Sequence, residues 1–298
     1  MKKAPLLILM LVFNLSFLFS QEQKTPNPES EKEPEPSWTK KGKISFMFNQ
    51  SAFSNWVSKG ENTLAGNVSI NYNFDYVKGK YSWKNNIITS YGLTKSKNTE
   101  FTKKTDDRLE FNSLLGVNAD GYWFYSALVN FKTQFTKGFK YSKDENGKEI
   151  RTKYTNFFSP ATILIGPGML WEKNKNFKFN IAPATTKLVL VEKDLTLPNE
   201  AYYGVEEGDN TRLELGFNAS GRLKINLMEN MTIENLLNLY ANYLENAENI
   251  DIDYSMNLVM KINSYFTTNL VFQTIYDDNA FEGFQIREVF GLSFNYGF

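Results

Sequence analysis

The sequence predicts an all-β chain, an antiparallel up-and-down transmembrane β-barrel of about 12 strands. Three observations lead to it. Apolar and polar residues alternate with a period of two from about Gly42 to Phe298. The alternating runs are longer than the five or six residues usual for a soluble strand. The gaps between the runs are short and long in turn, as tight turns and longer loops are on the two rims of a membrane barrel.

The last run is the clearest. Phe284, Ile286, Phe290, Leu292, Phe294, Tyr296 and Phe298 share one face; Gln285, Arg287, Gly291, Ser293, Asn295 and Gly297 share the other. Such alternation sets one face in an apolar medium and the other in a polar one. Val68, Ile70, Tyr72 and Phe74 oppose Ser69, Asn71 and Asn73 in the same way. Leu213, Leu215, Leu223 and Ile225 oppose Arg212, Glu214, Arg222 and Lys224, and Ile252, Tyr254, Met256 and Leu258 oppose Asp251, Asp253, Ser255 and Asn257. A tilted membrane-spanning strand needs about 9–11 residues, and these runs supply them.

Strands are expected at 42–52, 62–76, 81–94, 107–117, 122–137, 161–171, 177–191, 212–227, 231–244, 251–262, 266–276 and 284–298. An even number returns both chain ends to the short-turn rim. In the long 138–160 gap, Asn146-Gly147 reads as a hairpin turn between Tyr141 and Ile150. Gly166-Pro167-Gly168 interrupts the sixth strand and predicts a bulge or kink there. It is not a phosphate loop, because neither a helix start nor a lysine follows.

Composition removes several classes of function. The chain has no Cys and no His. Disulfides, thiolate metal sites, a cysteine nucleophile and a Ser-His pair are therefore excluded, so an enzyme is not expected and no catalytic, cofactor-binding or metal residue is assigned. Asp251 and Asp253, two residues apart on one face, are a carboxylate pair that can in principle share a proton, but they sit at the strand's loop end, where a solvated rim is the better reading. Asp144 and Glu145 lack the spacing of a calcium loop and read as part of a turn; Glu206, Glu207 and Asp209 offer carboxylates to a surface cation, with a solvated acidic loop as the default reading. With 33 basic and 33 acidic residues, there is no basic surplus for a nucleic-acid backbone.

The first 20 residues read as a cleavable signal peptide, with Lys2 and Lys3 ahead of an apolar run from Leu6 to Phe19; a short membrane anchor is the alternative. Residues 21–40 are rich in Pro and Glu and read as a disordered tail, either a spacer or the ligand of a periplasmic partner. The barrel would occupy 41–298. The terminal Phe298 resembles the assembly signal by which the barrel-assembly machinery takes up a last strand.

The segments FSNW, WKNNIITSYGL, FKTQF, FFSPATILIGPGM and NIDIDYSMNLVMKIN resemble a Bacteroidota family of uncharacterised secreted or outer-membrane proteins, a domain of unknown function. The resemblance covers most of residues 42–298, and Ser58-Lys59-Gly60 departs from the paired glycines expected after Trp56. It implies no activity and carries over no site residue.

The functional expectation is a bacterial outer-membrane barrel with the lipid bilayer as its main partner. Its lumen would be lined by Glu110, Lys132, Arg212, Glu214, Arg222, Lys224, Lys261 and Arg287. Those charges either select small polar solutes in a narrow pore or pair with one another and plug it. Trp83, Trp123, Trp171, Tyr296 and Phe298 would form an interface girdle, or pack a core if the barrel were soluble. A secreted, ligand-binding β-domain is the other reading.

Overall fold

The computed structural model describes residues 37–54, 60–196 and 202–298. The expected signal peptide, most of the expected tail and Trp56 lie outside the described residues. The strands are β1 (Ser37–Ser51), β2 (Thr63–Lys78), β3 (Tyr81–Ser96), β4 (Lys103–Asp120), β5 (Trp123–Thr133), β6 (Gly138–Lys143) and β7 (Glu149–Thr155). They continue with β8 (Ala161–Asn174), β9 (Phe177–Leu190), β10 (Thr211–Met228), β11 (Met231–Asn242), β12 (Ile250–Lys261), β13 (Phe266–Asp277) and β14 (Phe281–Gly297). Twelve of them close an antiparallel barrel, and β6 and β7 form a separate two-stranded sheet between β5 and β8.

Closure comes from β1 meeting β14 over Lys43↔Gly297 to Phe48↔Leu292. Gly42 and Phe298 extend this seam by exchanging backbone hydrogen bonds of 2.7 and 3.0 Å. Every barrel edge is thereby paired, which removes the unpaired strand edges that an open sheet exposes. The side chains are sorted inside-out. On β10, Leu213 is 67 % exposed on the outer face and its neighbour Glu214 is 3 % exposed within. Ile286 on β14, 68 % exposed, repeats the pattern.

All twelve expected barrel strands are present, with shifted ends. Strand β1 starts at Ser37, four residues inside the expected tail. Strand β5 stops at Thr133 rather than 137. The Asp107 carboxylate accepts the backbone N–H groups of Phe135 (2.7 Å) and Thr136 (2.9 Å), which takes those donors off the ladder. The 138–160 loop holds more than a turn. Its hairpin pairs Lys143 with Glu149 and Ser142 with Ile150. Asp144 C=O accepts Gly147 N–H at 3.0 Å, its side chain caps Asn146 and Lys148 N–H, and Gly147 sits at φ 78°. That is a type I turn closed by a left-handed glycine.

The expected bulge lies one strand away from where the sequence put it. Strand β8 runs through Gly166-Pro167-Gly168 in unbroken register with β5, as Gly166↔Leu128 to Gly168↔Ser126. The extra residue is on β9 at Pro183–Ala184, where β10 shifts register between Gly216 and Asn218 and β8 between Ile165 and Met169. The two glycines make room for it. A Cβ on Gly168 would come within 2.4 Å of the Ile181 carbonyl oxygen, and one on Gly166 within 2.5 Å of Thr185 Oγ1. Pro167 and Pro183 lack donors and therefore lose nothing where the ladder is broken.

Gly168→Ala should destabilise the barrel by about 1–3 kcal/mol, because backbone must move to admit the methyl. Gly66→Ala, whose Cβ meets nothing nearer than 4.0 Å, should change stability by less than about 0.5 kcal/mol. Urea unfolding of the folded protein in lipid compares the two; equal effects would mean that β8 and β9 do not approach so closely.

Candidate functional site

The charges on the inner face meet across the interior. Lys132 Nζ on β5 donates to Asp253 Oδ2 on β12 at 2.7 Å. Arg287 Nη2 on β14 donates to Asp106 Oδ2 on β4 at 2.8 Å. Lys187 Nζ on β9 donates to Asp251 Oδ2 on β12 at 2.9 Å, and Lys84 on β3 pairs with Glu172 on β8. None of these strand pairs are neighbours in the barrel: four strands lie between β5 and β12, three between β14 and β4, and two between the other pairs, so each bond cuts through the lumen as a chord. Asp251 and Asp253 are thus held by two different lysines rather than by each other.

Six of the eight residues expected in the lumen join this network. Glu110, 5 % exposed, accepts from Arg108 Nε at 2.8 Å and Asn112 Nδ2 at 2.7 Å. Lys132 and Arg287 make the bonds above. Arg212 Nε pairs with Glu214 at 3.0 Å, Glu214 also faces Lys187 at 3.6 Å, and Arg222 pairs with Glu234. Lys224 and Lys261 carry no ion pair among the described residues. The sequence reading did not single out Lys187, Lys84, Arg108, Asp106, Glu172 or Glu234 as lumen charges.

The long loops fold over the upper end of this network. The Arg212 guanidinium binds three of them at once, through Gly204 O (3.0 Å), Glu245 Oε2 (3.0 Å) and Asn279 Oδ1 (2.9 Å). Beside it Val189, Val191, Leu195, Tyr202 and Val205 form a buried apolar cluster, against which Tyr154 of β7 packs. Tyr202 donates its hydroxyl to Tyr154 O at 2.6 Å. Glu192 binds Lys153 and Asn156, whose hydrogen bonds hold its carboxyl below the usual range. Lys103 does the same for Glu149, which also accepts Glu100 N–H. The β6–β7 hairpin is thus fastened to the loops on either side.

Three carboxylates, Asp251, Asp277 and Asp278, converge within 4.8 Å beneath these loops. Lys187 neutralises Asp251, and Asn249 donates to Asp278 at 2.7 Å. The acidic loop residues Asp144, Glu145, Glu206, Glu207 and Asp209 are not in this group.

The aromatic residues named from sequence lie on the outer face near the short turns. Trp83 rests 6.0 Å from Trp38, Trp123 meets Phe179 edge-on at 5.8 Å, and Trp171 packs on Phe177 at 5.4 Å. Phe298 stacks on Tyr72 at 6.1 Å, and Tyr296 is exposed beside it.

The model of a family described as "protein of unknown function (DUF3078)" matches residues 48–139, a shorter stretch than the resemblance noted above. The segments FFSPATILIGPGM and NIDIDYSMNLVMKIN lie beyond it. No curated protein matches the chain. Among solved structures, an outer membrane channel from Pseudomonas putida F1 is similar with TM-score 0.41 and 8 % identity, over 91 % of this chain and 99 % of that one. The translocator domain of the autotransporter NalP from Neisseria meningitidis gives TM-score 0.37 and 7 % identity, over 87 % of each chain. The β-domain of the Bordetella autotransporter BrkA gives TM-score 0.34 and 11 % identity, over 86 % and 96 %. Similarity this low carries no functional argument; the barrel rests on its own strand register.

Lys187 sits between two carboxylates, Asp251 and Glu214, with little exposure of its own. Lys187→Met should therefore cost about 3–5 kcal/mol, the penalty for leaving buried charge unpaired. The triple change Lys187→Met, Glu214→Gln, Asp251→Asn should recover much of that loss. Unfolding midpoints in urea measure both, and a triple variant no better than the single one would count against the pairing.

Proposed function

We propose that the chain is a bacterial outer-membrane β-barrel whose lumen is closed at the long-loop end by its own ion pairs. The observation that carries this reading is that Lys132–Asp253, Arg287–Asp106 and Lys187–Asp251 join strands on different sides of the barrel. A lumen bridged at three places, under loops tied together by Arg212, does not offer the continuous water column of a diffusion pore.

The membrane part of the proposal draws on the outer surface. Large apolar side chains cover it, and a soluble protein would lose much stability by leaving them in water. Strands of 11 to 18 residues in the barrel reach across a bilayer, and the aromatic side chains near the short turns fit one of its interfaces. In this reading residues 1–20 direct export, the strand ending in Phe298 is the handle for the barrel-assembly machinery, and the part of the 21–40 segment ahead of β1 serves periplasmic partners. A Bacteroidota origin is part of the same reading and rests on the segments quoted above. No catalytic role belongs to it.

A second reading, a narrow gated pore for small polar solutes, is favoured by the chemistry of the closure. Ion pairs open and re-form in water more readily than an apolar plug does, and they weaken with salt.

Two experiments separate these statements. In planar bilayers the unaltered protein should conduct little. Replacing Asp106, Lys132, Asp253 and Arg287 with Ala together should produce steady conductance. Large steady conductance from the unaltered protein would contradict the closed lumen. Independently, Phe290→Arg, placed in the middle of β14 on the outer face, should destabilise the protein in vesicles by about 2–4 kcal/mol. An unchanged stability there would contradict the membrane reading.

A further inference from the structure

The inner face is not balanced along its length. In the long-loop half every inward lysine and arginine named above has a carboxylate. In the short-turn half the balance fails. Lys43 on β1, Lys178 on β9 and Lys224 on β10 point inward, and their ammonium groups make no hydrogen bond or ion pair among the described residues. The carboxylates that register places beside them are already taken. Glu172 stands opposite Lys178 across β8–β9, but pairs with Lys84. Glu234 stands opposite Lys224 across β10–β11, but pairs with Arg222.

These cations also face one another. Arg222 is the direct cross-strand neighbour of Lys178. Lys43 and Lys224, on strands separated by four others, repel one another across the lumen, while Glu234 attracts Lys43. Lys41 and Lys261 continue the same inward phase out to the short-turn rim. Lys43 is exposed although it points into the barrel, and Lys178 and Lys224 are partly buried. Asp75 is the remaining inward carboxylate of this half named by register, opposite Thr39.

Like charges gathered in a narrow interior repel one another and destabilise the empty barrel. Asn or Ser, which fill neighbouring inward positions such as Asn71, Ser45 and Asn295, would line the same wall at no such cost. A local rule broken with only partial compensation, from Glu234, Glu172 and Asp75, points to a compensating ligand. We propose that the short-turn half of the lumen is a binding vestibule for a small oxyanion carrying two or more charges, of the phosphate class, held by Lys43, Lys178 and Lys224. The network above it forms the roof, so the ligand enters and leaves at the short-turn rim. The inference needs the barrel and its inward register, not the membrane reading.

Inorganic pyrophosphate is the probe, titrated calorimetrically into the full chain folded in a zwitterionic detergent. The expected result is saturable binding that weakens with added salt, with acetate weaker by about tenfold or more because it carries one charge. Lys178→Met with Lys224→Met should weaken pyrophosphate by about tenfold or more. The pair orphans no carboxylate, and heat-modifiability on a gel checks that it folds. A second measurement needs no variant. Reductive methylation followed by peptide mass analysis should show pyrophosphate protecting Lys43, Lys178 and Lys224 while leaving Lys148, on the far hairpin, unprotected. Absence of saturable binding, equal binding of acetate, or protection spread evenly over all four lysines would overturn the proposal. Failure of the membrane tests above would leave these readouts untouched.

Discussion

A charge on the inner wall of this barrel has two ways to be solvated, by water or by an opposite charge on the far wall, and the rest of the structure follows from which one it takes. At an effective dielectric constant near 20, a contact ion pair attracts by about 4 kcal/mol. Taking the two ions from water costs several kcal/mol each when burial is complete. The net gain is small, and the gain in definition is larger. Lys132, Arg287 and Lys187 each find a carboxylate on a strand that is not their neighbour. These bonds fix the distance between opposite walls in a fold whose backbone ladder fixes only adjacent strands.

The outer wall and the closure of the sheet are consequences of the same sorting. With polar groups turned inward, the apolar phase of each strand is left outside, and the barrel needs an apolar medium around it. Where the sorting is locally disturbed, small residues absorb the change. The β9 bulge at Pro183–Ala184 is accommodated by Gly166 and Gly168 on the strand beside it. The bulge then reverses which residues of β9 point inward, from Lys178, Asn180 and Ala182 before it to Thr185, Lys187 and Val189 after it. The buried end of the network depends on that reversal, because it brings Lys187 to Asp251 and Glu214.

This reversal marks the limit of what the sequence tells. Period-two alternation was enough to locate all twelve barrel strands, since outer and inner faces see such different media. It was enough to assign Arg212, Glu214 and Arg222 to the interior, because β10 keeps one phase along its length. Lys187 was missed because a reader who carries the phase of Phe177 and Phe179 forward places it outside. Asp106 and Glu172 were missed because they sit at strand ends, where alternation fades. The partners of Lys132, Arg287, Lys187 and Lys84 were not legible, since they lie on strands that are not neighbours and no local pattern encodes which wall faces which. The β6–β7 hairpin was foreseen only at its turn, where Asn146-Gly147 carries a local signal that its short strands lack.

The measurement that bears most directly on this account exchanges one cross-lumen pair. Lys132→Asp and Asp253→Lys are made singly and together, and each protein is unfolded by heat in the same lipid. If the walls are held by pairing across the lumen, each single reversal places like charges face to face and lowers Tm, and the double exchange restores most of the loss. If the double variant loses as much as the two singles added together, the charges do not meet across the lumen and the closed-barrel account fails.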